Sequence, residues 1–365
     1  MNALIYRSTL AAALTLANAS LPAAASQPDN TVGTETRALT PFSAIAVEGP
    51  WHVVVTAQGE RPLELSGPRK EMANVETVVT GDTLIVRPLQ RKGWHFSFSW
   101  SKPAPLTVHI TAPHLLSLKA SGSGDVELEQ FHGQQLALST SGSGDLRASG
   151  DARELTVRTG GSGNVNLRAM MAGKLNLRMS GSGDVSAGGV EQDLNAELNG
   201  SGDLDLNDVR GGRVNAALHG SGTMHVRGGS RELRAELFGS GDLEACELQA
   251  QAVTAVLRGS GDACVAGATR QFEAEVHGSG DLTASANCEQ VKLTMNGSGQ
   301  VTLAGKTDKL HAQLSGSGDL NARQLSAGQA EVVVRGPGTA MVNVKTADKA
   351  RLLTFDRSGT YERAH

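Results

Sequence analysis

The chain has 365 residues, a net charge of −4 and a pI near 6.2, so it lacks the basic stripe that would bind nucleic acid or an anionic membrane. Aromatic residues make up 3 % and there are 44 glycines. That composition suits a narrow core in which backbones approach closely.

Residues 1–25 read as a secretory signal peptide. Arg7 supplies the positive charge, Thr9 to Leu21 the apolar stretch, and Ala23-Ala24-Ala25 a small-residue cleavage site before Ser26. No other stretch approaches the roughly 18 apolar residues of a membrane span, and no Cys follows the signal to carry a lipid. The expectation is an exported bacterial protein in the periplasm, on the outer surface or secreted, with no membrane span after signal cleavage.

Residues 26–41 are polar and predict a flexible lead-in. Residues 42–115 hold short alternating runs, among them Phe42 to Val47, Trp51 to Val55 and Thr83 to Val86, separated by Gly, Pro and Asp turns. They predict an N-terminal β segment that starts and caps a repeat array, because such arrays need atypical ends. Within it lies Trp94-His95-Phe96-Ser97-Phe98-Ser99-Trp100. On a strand, Trp94, Phe96, Phe98 and Trp100 project from one face. Such a strip packs as a cap, or stacks against a sugar or aromatic ligand.

From residue 116 to 344 the sequence repeats. Gly-Ser-Gly, usually followed by Asp, starts at Gly122 and returns at Gly142, Gly161, Gly181, Gly200, Gly220, Gly239, Gly259, Gly278, Gly297 and Gly316, with Gly336-Pro337-Gly338 as a last variant. The spacing is 19 or 20 residues, the mark of stacked supersecondary units. With the first Gly as position zero, positions −6, −4, −2, +4 and +6 are apolar or small, as in Leu194, Ala196, Leu198, Leu204 and Leu206. This alternation is that of strands with one inward face. The pairs Gly122/Gly124, Gly142/Gly144, Gly200/Gly202 and Gly239/Gly241 represent the predicted structural bends. The fold predicted is all-β: a single parallel β-helix, right-handed, of about twelve rungs, very roughly 55–60 Å long at 4.8 Å per rung. Each 20-residue rung has a large apolar residue at +9 (Phe131, Met170, Val209, Leu248, Leu325), which the 19-residue rungs mostly lack. The tail, 345–365, is polar and predicts the end of the stack.

The Asp at +3, represented by Asp184, Asp203, Asp242, Asp262 and Asp281, would form a surface column. It could collect Ca²⁺, which takes six to eight oxygen ligands, or accept backbone N–H groups at the bends, the reading that Asn, Thr and Gln at the same register favour. Cys246, Cys264 and Cys288 fall at +7, +5 and +10, so no two share a register and no disulfide is expected. The histidines form no metal-ligand motif, no nucleophile elbow or phosphate loop occurs, and no carboxylate pair stands out.

The run Phe42-x-x-Ile45-x-Val47, Val53-Val54-Val55, Gly81-Asp82-Thr83-Leu84-Ile85-Val86, Leu106 to Ile110, Pro113-His114-Leu115 and the serial Ser-Gly-Ser-Gly-Asp from Ser121 resemble the head GIN domain family, described as auto-transporter adhesins. The resemblance covers about residues 42 to 344. It implies an exported parallel β-helix with an adhesive or envelope role, and it supplies no catalytic residues. The function expected is that of a non-enzymatic scaffold or adhesin-like protein without a cofactor, with an envelope glycan or surface protein as partner. The alternatives are a carbohydrate-active β-helix enzyme and a calcium-stabilised rod.

Overall fold

The computed structural model describes residues 31–89, 105–345, 350–355 and 361–362. They form a β-solenoid of about twelve turns with a single continuous core. The strands are β1 (Val32–Arg37), β2 (Ala44–Val47), β3 (His52–Thr56), β4 (Leu63–Pro68), β5 (Val75–Thr80), β6 (Thr83–Pro88), β7 (Thr107–Thr111) and β8 (Ser117–Ala120). The repeats continue as β9 (Val126–Thr140), β10 (Leu146–Gly161), β11 (Val165–Gly181), β12 (Val185–Leu198), β13 (Leu204–Leu218), β14 (Thr223–Gly239), β15 (Asp242–Gly259), β16 (Ala263–Ala268), β17 (Gln271–Gly278), β18 (Leu282–Gly297), β19 (Gln300–Gly316) and β20 (Asp319–Arg335). The last strands are β21 (Ala340–Val344), β22 (Ala350–Phe355) and β23 (Tyr361–Glu362). The helix α1 (Arg69–Met72) is a single turn.

The alternation places side chains as expected. In the Gly200 rung, Leu204, Leu206, Val214, Ala216 and Leu218 are buried, while Asp205 and Asn215 lie on the outer face. Neighbouring rungs run parallel in register, as Leu194↔Val214↔Leu233 illustrates. Stacked leucines and valines therefore shield one another along the axis, each worth about 1.5–3 kcal/mol when fully buried.

The N-terminal segment does not precede the stack as a simple coil. β2 pairs with β6 on one side and β8 on the other, and β3 pairs with β7 and β9. The first covalent rung is thus second in space, inserted between a later one (β6 and β7) and the first repeat. Its bend, Gly49-Pro50-Trp51, lies directly under Gly122-Ser123-Gly124: Gly124 N–H donates to Gly49 O at 3.0 Å. Val47, Val53 and Val55 occupy positions −2, +4 and +6 of that rung and are buried. The predicted flexible lead-in is corrected over part of its length. Val32–Arg37 pairs antiparallel with β4, which pairs antiparallel with β7, and β5 covers β6 in the same sense. These antiparallel strands cover the base. At the other end the tail still contributes a strand: β22 stacks on β20, and β23 turns back antiparallel on it.

The two rung lengths have a geometric basis. Phe131, Met170, Val209, Leu248 and Leu325 at +9 of the long rungs are all buried. The short rungs place glycine at +8 in five of six cases, Gly150, Gly189, Gly228, Gly267 and Gly305. Gly150 is the register partner of both Phe131 and Met170. Its φ is +127°, and a Cβ there would lie 2.0 Å from Phe131 O. A long rung fills the corner with a side chain, and the next rung crosses over it as bare backbone.

The Gly-Ser-Gly bends obey the same logic. A Cβ on Gly142 would lie 1.8 Å from Gly122 O, and one on Gly144 2.0 Å from Gly124 O. Gly122 and Gly124 stand in the same relation to Gly49 and Trp51, and Gly200, Gly202, Gly239 and Gly241 to Gly181, Gly183, Gly220 and Gly222, all at 2.0 to 2.4 Å. Gly202 has no positive φ, so the close stacking of backbones, not the turn itself, demands glycine there. Gly202→Ala is expected to cost roughly 2–4 kcal/mol, since a clash with fixed backbone belongs to the severe tail of point mutations, whereas Ser201→Ala stays within about 0.5 kcal/mol. Urea unfolding of the two variants checks this.

Candidate functional site

The feature repeated from rung to rung is the bend edge, so the site is built from it. From the Gly142 bend to the Gly316 bend, the serine N–H donates to the rung before, as Ser201 N–H to Gly181 O at 3.2 Å and Ser221 N–H to Gly200 O at 3.1 Å. The next donor is taken by the Asp. Asp125 Oδ1 accepts from Asp145 N–H at 2.9 Å, Asp145 Oδ1 from Asn164 N–H at 2.8 Å, Asn164 Oδ1 from Asp184 N–H at 2.9 Å and Asp184 Oδ1 from Asp203 N–H at 3.0 Å. Asp203 reaches Thr223, Asp242 reaches Asp262, Asp262 reaches Asp281 and Asp281 reaches Gln300 in the same way. The side chain thus serves the rung above it and not its own turn.

The column breaks twice, where the side chain at +3 is not Asp or Asn. After Thr223, Asp242 N–H turns to Gly222 O, and after Gln300, Asp319 N–H turns to Gly299 O, both at 3.2 Å. Of the five singled-out aspartates, Asp184 and Asp203 belong to one run, and Asp242, Asp262 and Asp281 to the next. Among the described residues no three His, Cys, Asp or Glu side chains gather around a common point. Above Asp319, the Thr339 hydroxyl and N–H both donate to Oδ1, at 2.7 and 2.8 Å, and hold this carboxyl below the usual carboxylate range.

Beside the bends, at −1, His219 stacks on Phe238 with ring centroids 4.9 Å apart, and Arg258 lies over the same phenyl ring at 5.5 Å. Both faces of Phe238 are thus occupied from within. The face after the bends, from +5 to +8, is knitted by polar pairs across rungs. Asp205 takes Arg168 at 3.2 Å and Arg227 at 2.6 Å as ion pairs, Arg227 also reaches Glu247 at 3.1 Å, and the His225 ring nitrogen lies 3.1 Å from a Glu244 carboxylate oxygen.

The expectation about the cysteines is corrected. Cys246 and Cys264 form a disulfide with Cα atoms 5.2 Å apart. Their two-residue offset keeps both on the outer face: Cys264 lies opposite Glu244, and Cys246 is the first residue past Ala245, where the pairing slips. Spacing relative to the bend alone does not show that slip. Cys288 is free and buried, and burial pushes its thiol up, away from reactive thiolate. Trp94, Phe96, Phe98 and Trp100 lie outside the described residues, as does the signal peptide, 1–25. Gly49-Pro50-Trp51, which sequence reasoning missed as a bend, had a signal: Ile45, Val47, Val53 and Val55 repeat the spacing of the later rungs around Gly49.

The family described as "Putative auto-transporter adhesin, head GIN domain" matches residues 41–193, 189–284 and 265–354, and the chain belongs to that family. Among solved structures, an adhesin so described from Bacteroides fragilis NCTC 9343 is 20 % identical, with a TM-score of 0.33, over 76 % of this chain and 98 % of that one. An adhesin so described from Parabacteroides distasonis ATCC 8503 is 16 % identical with a TM-score of 0.35, over 87 % and 97 % of the two chains. A further Parabacteroides distasonis structure, described as a lipid binding protein, has the same identity and score over 87 % and 98 %. At these scores the likenesses fix no functional feature. No curated protein matches.

Three outcomes are expected. Asp281→Asn keeps an acceptor for Gln300 N–H and stays close to wild type, while Asp281→Ala costs about 1 kcal/mol, the net worth of one hydrogen bond. The depressed Asp319 carboxyl contributes stability that is complete above the unfolded carboxylate pKa of about 3.9 and is lost as pH falls through its lower folded value. Acid titration of wild type against Asp319→Asn reads the difference. Replacing Cys246 and Cys264 by Ser costs about 3 kcal/mol by the chain-entropy estimate for a short loop, measured against the oxidised wild type in urea.

Proposed function

We propose that this protein is an exported, non-enzymatic rod of the bacterial cell envelope or surface, with an adhesin-like binding role. The observation that carries the reading is the bend column. The one side-chain motif repeated along the molecule spends its carboxylates on holding the next rung, so the repetition builds a scaffold and its outer faces are free to display contacts. Membership of an adhesin-type family supports the binding role. A surface disulfide supports an oxidising compartment, in keeping with the signal peptide read in the sequence. The partner is an envelope glycan or a surface protein, and Trp94, Phe96, Phe98 and Trp100 are the proposed aromatic contact. No cofactor is required.

Pull-downs and glycan arrays with wild type and with Trp94→Ala/Trp100→Ala test the contact. The expected result is binding by wild type and at least a tenfold loss in the variant, on the order of one or two stacking contacts. A signal that survives the double substitution removes the aromatic contact. A melting temperature unchanged by EDTA is expected if the rod needs no calcium. Turnover of an envelope polysaccharide, lost on mutating a carboxylate pair, would replace the binding role with that of a carbohydrate-active enzyme.

A further inference from the structure

The face before the bends differs from the ion-paired face after them. Position −7 of successive rungs carries Glu154, Lys174, Asp193 and Arg213, in register. Position −5, two residues on and therefore on the same outer face, carries Asn176, Asn195 and Asn215, also in register. The two columns line a groove of about 350 Å³ on the side of the rod. Arg213 pairs outward with Glu232 at 3.3 Å. Among the described residues, the side chains of Glu154, Lys174, Asp193 and the three asparagines have no hydrogen-bond or ion-pair partner. Above the groove the pattern changes, since Arg234 continues the asparagine column and folds onto Glu236 at 2.5 Å.

We infer that this groove binds a neutral, hydroxyl-rich oligosaccharide laid along the rod axis, with Asn176, Asn195 and Asn215 as its principal contacts. This rests on the envelope-binding reading and names a ligand class and a place for it. Each asparagine amide offers donors and an acceptor at one point, which matches a hydroxyl that both gives and takes a proton. The three repeat at the spacing of the rungs, about 4.8 Å, so a polymer with regularly placed hydroxyls meets them in succession. The charges at −7 alternate in sign from rung to rung, Glu154, Lys174, Asp193, Arg213 and then Glu232, so the column has no block of one sign to draw a polyanion or polycation and leaves single charged groups to bind individual hydroxyls. On the ion-paired face the polar groups are already committed to one another, and a ligand there would have to break those pairs. In the groove only water has to leave.

The test is titration calorimetry of the full chain with cellotetraose, maltotetraose and tetra-N-acetylchitotetraose as neutral probes and polygalacturonate as the charged one. Wild type is expected to bind at least one neutral probe. Asn176→Ala/Asn195→Ala/Asn215→Ala is expected to weaken that binding by about tenfold or more with its melting temperature unchanged, because these side chains hold nothing in the protein. The single variant Asn195→Lys, which fills the centre of the groove, is expected to lose the same binding. Two results overturn the groove and leave the envelope-binding reading standing. One is equal affinity in wild type and both groove variants, with the loss appearing in Trp94→Ala/Trp100→Ala instead. The other is binding of polygalacturonate, or of a surface protein, with none of the neutral tetrasaccharides. No binding partner of any kind overturns both.

Discussion

Everything in this fold depends on how closely one bend lies on the next. At the edge of the rod the carbonyl of one rung sits where the Cβ of the rung above would be, as at Gly142 over Gly122 and Gly202 over Gly183. From Gly122 onward, where one Gly-Ser-Gly bend lies on another, that distance requires glycine at both positions. It also brings the next backbone N–H within reach of a short acceptor below, and Asp or Asn is the right length to meet it. The tetrapeptide is thus one solution to one problem. The glycines permit the contact between backbones, the serine N–H closes it, and the acid ties the next donor. The serine hydroxyl is left at the surface, with no part in the stacking.

The surfaces are unequal because their side chains are answerable to different partners. Where Arg168, Asp205, Arg227 and Glu247 interlock, neighbouring rungs are tied from outside as well as through the core. Exposed pairs of this kind contribute little stability singly, though networks do more than isolated pairs. Their clearer effect is to fix side-chain positions and occupy the face. The amide column at Asn176, Asn195 and Asn215 has no such role, and the difference between the two faces within the same rungs is what makes it conspicuous.

Much of this was legible in the sequence because a solenoid writes its geometry in a period. Alternation at −6 to +6 announced the strands and their inward faces, and Leu204, Leu206 and Leu218 are buried as it required. The large residue at +9 announced the corner of the long rung, and its counterpart, the glycine at +8 of the short rung, recurs as regularly and takes its meaning only once the two corners are stacked. Long-range features were illegible for a physical reason. Ile45, Val47, Val53 and Val55 mark the stretch around Gly49 as a rung, but it lies 73 positions before Gly122 in sequence, so the period does not say where it stacks, and its neighbours in space, β6 with β7 and β8 with β9, both come later in the chain. The Cys246–Cys264 bridge joins positions two residues apart in register, a diagonal that spacing relative to the bend does not mark as a pair. The groove depends on which polar side chains ignore one another, and that requires positions in space.

The inserted rung of β2 and β3 has a consequence for the order in which the molecule assembles. Its two neighbours, β6 with β7 and β8 with β9, are both made later by the ribosome. Residues 44–56 therefore have no finished place to dock until about residue 128 has been synthesised, and the base closes as a single event with the loop-closure entropy of all that intervening chain. Every subsequent rung needs only the one before it. The protein is expected to have one slow, cooperative nucleus at its amino-terminal end and a fast, stepwise extension from there, so that a truncation after any later bend leaves a shorter rod while a lesion in the first strands leaves none.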